Sequence, residues 1–80
     1  SVNQFTLSRC HTFCDARDVD DALTRAPFDL AAVEPRVELR DEKLCVMLPE
    51  AASAALRAQL PGFAYAGGVW IPLRKISPAI

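Results

Sequence analysis

The chain has 80 residues, 51% of them apolar and 24% charged, with a formal net charge of -1 at pH 7. Such a composition is globular, and residues 1–80 are read as one domain near the lower size limit for a core without staples. A balance so close to neutral makes no global case for a nucleic-acid or anionic-membrane partner, and no apolar run approaches the roughly 20 residues that span a bilayer.

The N-terminal SVNQFTL lacks the basic and apolar regions of a signal peptide. Three cysteines are an odd number, which argues against a closed disulfide framework and for a reducing compartment. The expectation is a cytoplasmic protein with three free thiols. Abundant alanine and arginine beside scarce lysine point to a GC-rich bacterial or phage genome.

In chain order, NQFTLSRC (residues 3–10) alternates, with Phe5 and Leu7 on one face and Gln4, Thr6 and Ser8 on the other, the period of a half-buried strand. In DARDVDDALTRAP, Val19, Ala22, Leu23 and Ala26 fall at i, i+3, i+4 and i+7, one stripe of a helix. Asp15 or Asp18 can cap it, Asp20 and Asp21 complement its positive end, and Pro27 stops it. The next segment, FDLAAVEPRVELRDEKLCVMLP, reads as a hairpin. Placing Val37 opposite Val46 and Leu39 opposite Leu44 turns Pro35, Val37, Leu39, Leu44, Val46 and Leu48 to one face. Glu34, Arg36, Glu38, Arg40, Lys43, Cys45 and Met47 then share the other. Asp41-Glu42 becomes the turn, but that pair suits a type I′ turn poorly, so a loop one or two residues longer is expected.

Pro49 suits the start of a second helix, EAASAALRAQL, whose buried side is marked by Ala52, Ala55, Leu56 and Leu60. A second hairpin turns about Gly67-Gly68, with Tyr65 opposite Trp70 and Ala64 opposite Ile71. Pro72 falls at an edge or ends the pairing, and KISPAI is expected to be loosely held. The order is β-α-β-β-α-β(β). It predicts a small α+β domain, a mainly antiparallel sheet with two helices on one face, and a ferredoxin-like arrangement is the first candidate. The segment LPGFAYAGGVWIPL (residues 60–73) resembles small helix-plus-hairpin modules of helicase-associated proteins, and no functional residue is carried over from it.

The reactive residues concentrate in SRCHTFC (residues 8–14). Cys10, His11, Cys14 and Cys45 make a possible three-cysteine, one-histidine zinc set, but structural zinc sites pair their ligands on tight turns. Here Cys45 stands alone in a strand and adjacent Cys10 and His11 diverge. No metal is expected, and Cys10 and Cys14 are read as small side chains flanking a strand-to-helix loop. A thiolate nucleophile at Cys14 meets the opposing field of Asp15 and the aspartates that follow. Glycines are confined to residues 62–68, away from any strand-to-helix phosphate loop. No catalytic residue and no cofactor is expected, and the chain is read as a non-enzyme.

What remains is surface. Tyr65 and Trp70, with Arg57 and Arg74 near them in sequence, are candidates for contact with a partner, as is the mixed-charge face of Arg36, Glu38 and Arg40. Tyrosine, tryptophan and arginine are enriched at protein interfaces, and mixed signs fit a protein better than a phosphate backbone. The leading reading is a protein that binds and blocks a larger protein or protein complex. Phage or mobile-element inhibitors of host defence complexes, anti-CRISPR proteins among them, are the class it points to. The alternative is an accessory nucleic-acid-binding domain in which the Tyr65/Trp70 hairpin stacks bases and nearby arginines hold phosphates. A membrane partner is not expected, and the sequence leaves the oligomeric state open.

Overall fold

The computed structural model describes residues 8–76. Strand β1 (Ser8–Phe13) leads into α1 (Ala16–Arg25), and a short turn of helix, α2 (Leu30–Val33), precedes the hairpin β2 (Arg36–Arg40) and β3 (Lys43–Pro49). Helix α3 (Glu50–Ala58), a second hairpin β4 (Phe63–Ala66) and β5 (Val69–Pro72), and one helical turn α4 (Leu73–Ile76) follow. Together they form a small α+β domain on a five-stranded sheet of order β2-β3-β1-β5-β4. Among the described residues no helix is long and apolar enough to cross a membrane.

Local chemistry accounts for most boundaries. The Asp15 carboxylate accepts the Asp18 amide and caps α1, while Asp29 does the same for α2 through the Ala31 amide. Both hairpins have the expected registers, Val37 facing Val46 and Leu39 facing Leu44 in one, Tyr65 facing Trp70 and Ala64 facing Ile71 in the other. The first turn is tighter than expected. Asp41 and Glu42 take φ of 50° and 66°, so two non-glycine residues fill it, because Arg40 and Lys43 already pair on either side. In the second, Gly67 and Gly68 supply positive φ without a Cβ penalty.

Other expectations change. The anticipated strand from residue 3 falls largely on residues outside those described, so the faces assigned to Phe5 and Leu7 are not addressed. The stretch HTF, expected as the loop after the first strand, continues the strand that contains Arg9 and Cys10. This is the central strand, with His11 and Phe13 turned inward and Cys10 and Thr12 alternating with them. The sheet is mainly antiparallel, as expected, with one parallel pairing. Strand β5 runs parallel to β1 and registers with it only at Phe13–Trp70. Helix α2 replaces the expected extended approach to β2, and Glu34, in the left-handed conformation at φ 53°, closes it.

The core lies between α1, α3 and one face of the sheet. Phe13, Val46 and Leu48 from the strands meet Val19 and Ala22 of α1, Ala52 and Leu56 of α3, and Leu60, Phe63 and Trp70 from the second hairpin region. Phe13 and Phe63 meet edge to face with centroids 5.9 Å apart. Val37 and Leu39 share the inward face of the ladder yet are 48% and 74% exposed. Helices α1 and α3 cover β1 and β3, and β2 lies beyond them. The facing was right; the coverage was not.

Cys10 and Cys45 form a disulfide, which corrects the expectation of three free thiols and leaves Cys14 as the one free cysteine among the described residues. The bond is diagonal: Cys45 stands opposite Thr12 and Cys10 opposite Met47, on the sheet face away from α1 and α3. Their Cα atoms are 5.5 Å apart, a normal span for a disulfide. The argument for a reducing compartment rested on unpaired cysteines, and the bond withdraws that support.

Truncating Leu56 to alanine should cost about 2–5 kcal/mol in denaturant unfolding, the range for a fully buried leucine. Leu39→Ala should cost well under about 1 kcal/mol despite the same chemistry. Equal losses at the two positions would show that β2 is covered.

Candidate functional site

Where α3 passes the second hairpin, the structure opens a surface cavity of about 440 Å³ lined by Arg9, Cys10, His11, Arg57, Tyr65 and Trp70. Strand β1 contributes Arg9 and His11, α3 contributes Arg57, and the β4–β5 pair contributes Tyr65 and Trp70. Strand β1 is therefore brought against a stretch of chain far from it in sequence.

The floor is fixed by a hydrogen-bonded chain. The Trp70 indole N–H donates to His11 Nδ1 at 3.1 Å, and His11 Nε2 lies 2.6 Å from Ser53 Oγ. An indole can only donate, so Nδ1 must accept, and in the neutral ring the proton sits on Nε2 and faces Ser53. Burial holds the His11 pKa below its ordinary value, and the nearby Arg57 charge lowers it further. Although a histidine beside a serine hydroxyl resembles a nucleophile and its base, Ser53 is buried and Nδ1 is taken by tryptophan. The arrangement orders the floor; it does not activate the serine.

The walls differ from the floor. Tyr65 is 60% exposed and leans on Trp70 with ring centroids 5.0 Å apart. Trp70 itself is only 7% exposed, so the aromatic surface offered to solvent is that of Tyr65. Arg9 and Arg57 are exposed, and neither forms an ion pair among the described residues, whereas Arg25, Arg36, Arg40 and Arg74 all do.

The sequence-derived candidates thus divide among three places. Arg57, Tyr65 and Trp70 line the cavity. Arg36, Glu38 and Arg40 lie together on β2, where Glu38 accepts from both arginines at 3.1 and 2.8 Å, and those bonds hold its carboxyl below the ordinary range. Arg74 is elsewhere. Its guanidinium reaches Asp18 at 2.8 Å and Asp21 at 3.4 Å, while Lys75 bridges Asp18 and Asp15. Lys75 is therefore tied to α1 rather than loosely held. The Asp18 carboxylate is fully buried, and each of its oxygens takes a cation.

Arg9 and Ser53 were not singled out by pattern, while His11 was weighed only as a metal ligand or base and Asp18 only as a helix cap. Asp18 precedes Ala22 by one helical turn, and Ser53 precedes Leu56 by three positions, so each sits on the buried stripe where a polar side chain needs a partner. Cys10 and Cys45, being bonded to each other, do not offer thiolates to a metal, and among the described residues no group of three or more potential ligands is placed to hold one. A second cavity of about 360 Å³, on the sheet face away from the helices, is lined in part by Cys10, Thr12, Arg40, Lys43 and Cys45. Compared with protein-family models, with curated proteins and with solved structures, the chain finds no significant match.

Two outcomes follow from this geometry. Because the folded His11 binds its proton less tightly than the unfolded chain does, stability should fall as pH drops through about 6.5 and level off below the folded pKa. The Asp18 amide and then Lys75 lower the Asp15 carboxyl, and Arg25 lowers that of Asp21, adding a separate loss only near and below their ordinary 3.8. A melting midpoint that stays flat between pH 7.5 and 5.5, in roughly the window set by the ordinary histidine value, would contradict the His11 assignment. Separately, Arg74→Ala combined with Lys75→Ala strands the buried Asp18 carboxylate and should cost about 3–5 kcal/mol in urea unfolding, more than either change alone. A double variant as stable as the parent would mean that Asp18 is hydrated.

Proposed function

We propose that this chain is a non-enzymatic interaction protein that binds and blocks a larger protein, and that the open edge of β2 is its contact surface. One observation carries the reading: β2 is an outer strand of the sheet and exposes Val37 and Leu39 side by side with Leu44 behind them. Outer strands normally carry charge or are covered, because their unpaired amides and carbonyls recruit other chains. Here one face of the strand has the Arg36–Glu38–Arg40 cluster and the other is apolar. A strand added by a partner would gain main-chain hydrogen bonds, an apolar contact on one side and a charged contact on the other. Inhibitors of host defence complexes carried by phages or mobile elements, including anti-CRISPR proteins, act by such occupation of a surface, and this is the class we assign.

We also propose that the fold is a variant of the ferredoxin-like arrangement. Within β1-α1-β2-β3-α3, the helix-linked strands β1 and β2 flank β3, as a ferredoxin-like split βαβ unit requires. The second hairpin then adds β5 beside β1 in parallel, in place of a single antiparallel strand.

The test is capture of a protein partner from native host extract by the parent chain and by a Val37→Lys, Leu39→Lys double variant. Unchanged circular dichroism is expected for the variant, with binding reduced by about 2 kcal/mol or more if these side chains are anchors. Undiminished capture by the variant would remove β2 from the interface. A homodimer in sedimentation velocity that the same changes dissolve would assign the edge to a second copy instead.

A further inference from the structure

The cavity between α3 and the second hairpin has features that the β2 reading does not use. Its charged lining is of one sign: among the described residues Arg9 and Arg57 line it and no carboxylate does. Arg25, Arg36, Arg40 and Arg74 are neutralised by aspartate or glutamate, whereas among the described residues Arg9 and Arg57, like Arg17 elsewhere, form no ion pair. Two guanidiniums at one concavity repel each other mildly and together suit a group that carries more than one negative charge and several acceptor oxygens.

The remaining wall restricts that group further. Tyr65 is exposed, yet its ring is backed by Trp70, whose own position is fixed by the bond to His11. A supported ring of this kind offers a flat apolar surface at little entropic cost. His11 is neutral and has both nitrogens bonded within the protein, so the floor contributes neither charge nor a free donor. The volume, about 440 Å³, suits one small ligand and falls within the common range of about 300–1,000 Å³ for such sites.

We propose that this cavity binds a nucleoside monophosphate, with the phosphate between Arg9 and Arg57 and the base against Tyr65. The same chemistry is available from a free nucleotide and from the 5′-phosphorylated end of a strand. The site is independent of the β2 edge, which lies on the far side of β3 and β1 from the hairpin.

The experiment is calorimetric titration of the intact protein with AMP, adenosine, inorganic phosphate, and one oligonucleotide bearing either a 5′-phosphate or a 5′-hydroxyl. AMP should bind more tightly than adenosine or phosphate alone, and its affinity should fall as salt rises. Arg57→Ala, an exposed helix position, should weaken AMP roughly tenfold or more, the loss of a hydrogen bond to a charged group. Arg17→Ala removes another exposed arginine that forms no ion pair among the described residues and does not line the cavity, and it should change nothing. Tyr65→Leu should weaken AMP while leaving phosphate unaffected. Stronger binding of the 5′-phosphorylated strand than of AMP would identify a strand end as the source, and equal binding a free nucleotide. The proposal is overturned by no heat with AMP at millimolar concentration, by equal losses in Arg17→Ala and Arg57→Ala, or by phosphate binding as well as AMP.

Discussion

The whole fold turns on one narrow seam. Strands β2, β3 and β1 form one antiparallel unit and β4 with β5 another, and a single registered pair, Phe13 with Trp70, joins them through the backbone. A parallel contact so short supplies little ladder bonding, so side chains must hold the halves together. They do so at three points: the edge-to-face contact of Phe13 with Phe63, the Trp70–His11–Ser53 chain, and the clasp of Arg74 and Lys75 on Asp18. Each involves β1 or α1 on one side and the second hairpin, α3 or α4 on the other.

The buried polar groups find their reason in that seam. A histidine, a serine and an aspartate in the interior of a small domain cost desolvation, and apolar residues of similar size would contribute more burial. Here all three are satisfied, and among the described residues no buried side-chain nitrogen or oxygen lacks a partner. Directional bonds fix the angle and register at which the hairpin meets β1, which apolar contact alone defines poorly. The candidate cavity inherits its shape from this arrangement, since His11 and Trp70 are both its floor and part of the joint.

Much of the secondary structure was legible because it depends on local rules. Period-two alternation set both hairpin registers, aspartate and proline marked α1, and paired glycines marked the second turn. Legibility ended where the answer depended on what lies above a strand. Val37 and Leu39 alternate as perfectly as Val46 and Leu48, yet no pattern within β2 states that α1 and α3 stop short of it. The cavity was half visible for the same reason. Arg57, Tyr65 and Trp70 are near one another in sequence and could be grouped, whereas Arg9 and His11 arrive from a strand about 60 positions earlier, through a parallel pairing that no hairpin signal announces. Cys10 and Cys45, 35 positions apart, became neighbours only once β1 was placed beside β3.

The clasp on Asp18 also has an order in time. Asp18 and its cations are separated by 56 and 57 positions, and loops of that length close after hairpins and helices have formed. On a ribosome, α1 emerges well before α4, so the carboxylate begins in water. Its dehydration awaits Arg74 and Lys75, which makes docking of α4 a late, committing event rather than a passive finish. In the reverse direction, release of α4 removes both cations from Asp18 and opens a buried charge to water.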